Sequence, residues 1–337
     1  FNIKNGDFEL KKIPFVLNSI STSGRVNNGK DNNFETTSIS FSEFHSKTNK
    51  GFLNGDFIVA NLNKYFLSAK LESSWDLSEL NHYFQDSPFL ELTGNMYLKT
   101  NYQGHLAFNN KFKDYFLSAN HISSARAQDV KFKYINSPLY FTIDSTSFNV
   151  EDKTIIINNS SLDISQSSFS FSGEAENFIS YLLKKNKYFH IKGDMIASKM
   201  LFSELTLIST VSNEVKKNTF PDWVTFDINT DINNFRYNNF TASKLVGKIQ
   251  YNKEELKGIE LVANSLDGYI HTNFTLTEPT REYLVLKADL ELDKINIRES
   301  FASFDNFNQE FIRKNHINGI GTAELDIEAH WKPSFIF

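Results

Sequence analysis

Eight histidines and two ladders of carboxylates are the residues of this chain best suited by type to do chemistry. The histidines are His45, His82, His105, His121, His190, His271, His316 and His330. No two sit at the three-to-five-residue spacing of paired metal ligands. His330 alternates outward beside Trp331 and needs no function as a surface histidine. The carboxylates Asp289, Glu291 and Asp293, and again Glu324, Asp326 and Glu328, recur at every second position. Two facing carboxylates can hydrolyse a glycoside, and a same-side group can hold Ca²⁺. Acid at i, i+2 on a strand is, before either, a solvated face.

Other catalytic signatures are absent from the sequence. It has no G-x-G-x-x-G, no phosphate-binding loop and no G-x-S-x-G elbow. The absence of cysteine excludes disulfides, thiolate metal sites and cysteine nucleophiles. Asn-x-Ser/Thr sequons at Asn158, Asn159, Asn239 and Asn273 carry little weight in so asparagine-rich a chain. The expectation is a non-enzymatic protein with no catalytic residue, no metal and no cofactor.

The composition supports this. A net charge of -5 lacks the basic surplus that phosphate neutralisation demands, so no nucleic-acid partner is expected. With 33 Phe and 13 Tyr in 337 residues, the chain is rich in side chains that suit a pleated, half-buried surface. Those aromatics read either as an ordinary β core or as the lining of a cavity or groove. No apolar run approaches the ~18 residues of a spanning helix, and no signal peptide is visible. The chain opens at Phe1 rather than Met and closes at Phe337 in a β-like run, so it reads as a fragment of a longer protein.

Period-2 alternation organises the sequence. Leu284, Leu286, Ala288, Leu290 and Leu292 alternate with mostly charged residues, and so do Ala323, Leu325, Ile327, Ala329 and Trp331. These predict antiparallel strands wet on one side. Leu67, Ala69 and Leu71, the pair Phe169 and Phe171, and Ile249 with Tyr251 continue the pattern, while Ile155-Ile156-Ile157 fits a strand buried on both faces. The serine-rich stretch 160–172 alternates too and reads as strand. Gly-Asn/Asp and Asn-Gly pairs at 5–7, 28–29, 54–56, 94–95 and 193–194 read as hairpin turns.

Two short matches suggest repetition. Asn5-Gly6-Asp7-Phe8 recurs at Asn54-Gly55-Asp56-Phe57, and Tyr65-Phe66-Leu67-Ser68-Ala69 at Tyr115-Phe116-Leu117-Ser118-Ala119. Short helices are predicted over 76–85 and 174–184. A longer amphipathic one is predicted over 298–314, with Phe301, Phe304, Phe307 and Phe311 on one stripe as a gate or cap. The polar stretch 213–222 predicts a loop between segments 1–212 and 223–337.

The last third resembles the C-terminal region of AsmA-like proteins of the Bacteroidetes type. The likeness runs through Phe240 to Tyr251 with Gly247, then 256–266, Asp267-Gly268-Tyr269-Ile270, Ile295 to Phe301, Phe304 to Glu310, and Ile317-Asn318-Gly319. Phe1 to Gly6 and Leu92-Thr93-Gly94-Asn95-Met96 are similar to the family as well. The resemblance implies a mostly β fold, a long antiparallel meander curled into a repeating groove. It also implies phospholipid transfer between inner and outer bacterial membranes, a periplasmic location, an inner-membrane anchor outside this segment and envelope protein partners. The groove lining would then be Leu284, Leu286, Leu290, Leu292, Leu325, Ile327, Phe169 and Phe171. The alternative is a structural β-solenoid or adhesin-like stalk, its interior filled by its own side chains.

Overall fold

A computed structural model describes residues 1–10, 15–82, 89–107, 112–134, 138–151, 153–204, 222–280 and 283–331. The fold is mostly β, with a few short helices. The chain divides into two compact units. The first comprises Phe1–Ile135, Thr142–Ser160 and Ala175–Asn186; the second comprises Asn136–Phe141, Ser161–Glu174 and Lys187–Phe337. Most of the loop expected over 213–222 lies outside the described residues.

In the first unit, seven strands form an antiparallel meander. They are β1 (Asn2–Leu10), β2 (Phe15–Asn27), β3 (Ser38–Lys47), β4 (Phe52–Ala60), β5 (Phe66–Asp76), β6 (Phe89–His105) and β7 (Asn120–Tyr134). Next in the chain come β8 (Tyr140–Glu151) and β9 (Thr154–Ile164), each divided between the two units, and β10 (Ser167–Glu176), most of which belongs to the second. The serine-rich stretch is strand, broken only by a turn at 165–166. Ile155, Ile156 and Ile157 are all half-buried on β9.

The second unit contains β11 (Phe189–Leu201), β12 (Val224–Tyr237), β13 (Phe240–Tyr251), β14 (Glu255–Ser265), β15 (Gly268–Thr280), β16 (Tyr283–Asn296) and β17 (Ile320–Trp331). From β12 to β17 every neighbour is antiparallel. β11 pairs with β12 in parallel, so the meander is interrupted there. A parallel pair needs a crossover longer than a hairpin, and 22 residues separate Leu201 from Val224.

Four of the five predicted glycine turns lie inside strands. Gly6, Gly55, Gly94 and Gly193 fall within β1, β4, β6 and β11; of the five, Gly29 alone makes a turn. For Gly6 and Gly55 the reason is a recurring bulge on the neighbouring strand. Ser19, Glu43, Glu260 and Lys294 take φ of 54°, 52°, 49° and 54° in mid-strand, each at a break in register. Each bulged N–H donates to a side chain of the neighbouring strand: Ser19 to Asp7 (3.2 Å), Glu43 to Asp56 (2.8 Å), Glu260 to Asn273 (2.8 Å) and Lys294 to Thr322 (3.2 Å). Glycine precedes three of these acceptors, as Gly6, Gly55 and Gly321. A Cβ on Gly55, whose φ is +145°, would lie 2.1 Å from the Lys70 carbonyl oxygen. The repeated Asn-Gly-Asp-Phe is therefore a device for seating a bulge, which bends the strand and sharpens its twist.

The second repeat does not hold. Phe66–Asp76 is strand β5, whereas Phe112–Ser118 is helix α1. Phe116 stacks on Tyr102 at 6.2 Å, so packing overrides the shared pentapeptide. Of the helix predicted over 76–85, the described part is a 3₁₀ turn, Leu77–His82, and 83–85 lie outside the described residues. That over 174–184 is α2 (Phe178–Leu182). The long helix over 298–314 is not formed. Helix α3 (Ile297–Ser303), capped by the Asn296 side chain, stops at Ser303. Asp305, Asn306, Phe307 and Asn308 then all take left-handed φ. Three of those four are Asp or Asn, which tolerate that region best.

Candidate functional site: an apolar sheet face

Strand pairing in the second unit aligns apolar side chains in rows. One row runs Ile191, Phe226, Tyr251, Leu256, Leu276, Leu286, Ala329. The next runs Gly193, Ile228, Ile249, Gly258, Phe274, Ala288, Ile327. Further along, Ile270, Leu292 and Ala323 are aligned, as are Thr272, Leu290 and Leu325. Paired residues in register share a face, so Leu284, Leu286, Leu290, Leu292, Leu325 and Ile327 belong to one surface.

That surface is apolar but incompletely covered. Leu284 is fully buried, whereas Leu286, Leu290, Leu292, Phe226, Ile249, Leu256, Ile270 and Phe274 stay half-buried. On β17, Leu325 is 42% and Ile327 37% exposed. Phe169 is buried and Phe171 half-buried on β10. Among the described residues, Leu284 and Ser167 are the largest side chains to reach full burial. A core packed from both sides would bury many more.

The sequence reading found the rim of this surface on β16 and β17 and part of β13. It missed Phe226, Phe274 and Leu276, which stand among threonines and other polar residues on β12 and β15 rather than in a run of leucines. The first unit carries a comparable row, Phe41, Phe57, Ala69, Tyr102 and His121. Phe41 stacks on Phe57 at 4.4 Å. Burial raises the Tyr102 phenol and pushes that of Tyr251 up to about 12, helped by Asp222 and Glu278.

The opposite face is charged and tied across strands. His271 lies between Glu260 (3.1 Å) and Glu291 (3.3 Å), and their hydrogen bonds, that of Glu291 first, raise its pKa. The carboxylate ladders of β16 and β17 meet, Asp289 opposite Asp326 and Glu291 opposite Glu324. Like charges so placed repel, and no group of side chains among the described residues is arranged to hold a metal ion. His190 contacts Thr225 Oγ1 at 2.9 Å and Asp227 at 3.7 Å. Asp227 is engaged by Gln250 and Lys248, which hold its carboxyl low against the effect of burial. It does not orient the imidazole as a nucleophilic triad requires. A depression of about 850 Å³ in the first unit has a mixed lining, with Lys70, Glu72, Lys99 and Asn101 beside Phe44, Phe52, Leu71 and Ile122.

The aromatic stripe is only partly assembled. Phe301 meets Phe307 edge-on at 5.0 Å, Phe307 stacks on Phe304 at 5.6 Å, and Phe304 stacks on Phe240 of β13 at 5.4 Å. Phe311 stands apart, 93% exposed. A straight helix would have aligned all four; the left-handed residues 305–308 turn Phe311 away. Compared with family models, curated proteins and solved structures, the chain matches none.

Proposed function

We propose that this chain is a non-enzymatic envelope protein of AsmA-like type whose apolar sheet surface carries phospholipid between the inner and outer membranes. The observation that supports the reading is the half-buried row structure of the second unit. Side chains such as Leu286, Leu290, Leu325 and Ile327 form a continuous apolar track that the described residues leave partly uncovered. Acyl chains laid on it would be held by area burial, at roughly 0.8 kcal/mol per buried CH₂. Headgroups would keep to the polar rim. Such binding needs no single essential residue, in keeping with the motif-free sequence. The periplasm, an inner-membrane anchor outside this segment and envelope partners at the ends of the track belong to the same reading.

Native mass spectrometry with lipid extraction, on the chain purified from cell envelopes, tests it. Several phospholipids per chain are expected. A lipid-free chain would overturn the reading and favour a structural stalk whose leucines are ordinary core.

A further inference from the structure

The excursion between β16 and β17 displays an apolar tip. Phe311 is 93% and Ile312 49% exposed, and Arg313 and Lys314 follow directly. The tip is held in shape rather than left loose. The Gln309 side chain accepts from the Ile312 N–H at 3.0 Å and donates back to the Ile312 carbonyl. Asn306 Oδ1 accepts from the Lys314 N–H at 2.8 Å, and the His316 N–H closes onto the Arg313 carbonyl at 2.7 Å. Its base is the stack of Phe307 on Phe304 on Phe240. Arg313 lies 3.4 Å from Glu310, and Lys314 forms no ion pair among the described residues.

We propose that this tip inserts into the interface of a bilayer bearing anionic headgroups. A bilayer accepts a convex knob without a matching pocket. A stable protein partner would need about 1,000 Å² of complementary surface, far more than two side chains offer. The Phe311 ring and the aliphatic Ile312 side chain reach the acyl boundary, while the two adjacent cations sit at headgroup level. The left-handed residues 305–308 place Phe311 outside the aromatic stack, so the same turn that breaks the helix exposes the ring. This proposal does not rest on lipid carriage by the sheet surface, since surface docking and acyl-chain uptake are read separately.

Vesicle flotation of the whole chain tests it, with phosphatidylcholine vesicles made with and without phosphatidylglycerol. Wild-type chain is expected to float with the anionic vesicles preferentially. Phe311→Ser should weaken binding by about tenfold, as loss of one inserted aromatic implies. Arg313→Glu with Lys314→Glu should abolish the anionic preference. Because these side chains are exposed, circular dichroism melts should match wild type. The chain lacks cysteine, so Asn315→Cys accepts a single environment-sensitive fluorophore, whose emission should shift blue with anionic vesicles. Wild type that stays with the soluble fraction, or variants that float as wild type does, would overturn the proposal. Soluble behaviour together with co-purified lipid would leave the carriage reading standing.

Discussion

Leu284 is the side chain on which the second unit's packing most visibly depends. It begins the long alternating run of β16 and is wholly enclosed. Leu284→Ala removes methylenes from a filled site and should destabilise the chain by about 3 kcal/mol in urea unfolding. His271 governs a different property. It lies among Glu260 on β14 and Glu291 on β16, with Glu324 of β17 beyond. Its folded pKa is raised above the ordinary 6.5. The stabilisation it gives is therefore complete below pH 6.5 and is lost as pH rises through the higher folded value. Melting temperature should fall across that window, and His271→Gln should flatten the fall.

The element that recurs is the bulge with its capping side chain. Asp56 accepts the Glu43 N–H on an exposed face. Asp56→Ala should therefore cost about 1 kcal/mol, measured by denaturant unfolding. Gly55→Ala should cost more than that, since a Cβ meets the Lys70 carbonyl oxygen and the φ of +145° disfavours any other residue. A Gly55→Ala variant as stable as wild type would refute the need for glycine where β4 approaches β5 this closely. The Asn-Gly-Asp-Phe repeat was legible in sequence as a repeat but not as a bulge. Glycine's tolerance of positive φ serves a turn and a bulge equally, and only the neighbouring strand tells them apart.

The two units share one character, long strands with an apolar surface and a charged surface. For the second unit this yields a test of the proposed lipid track. Leu325→Ser with Ile327→Ser alters side chains that are 42% and 37% exposed. Stability should change by no more than about 1 kcal/mol each. The number of phospholipids that co-purify should nevertheless drop in native mass spectra. Unchanged lipid content would detach these residues from the track.

Residue order was enough for the β class and for the alternation of apolar and charged faces on β16 and β17. These follow from local periodicity, which the pleat converts directly into faces. The parallel pairing of β11 with β12, the bulges at Ser19, Glu43, Glu260 and Lys294, and the helical state of Phe112–Ser118 emerged only with the folded chain. So did the clustering of Phe301, Phe304 and Phe307 while Phe311 faces solvent. Each of these depends on which residues arrive from distant strands, or on a backbone angle that several neighbours fix together, and neither is written in the spacing of one segment.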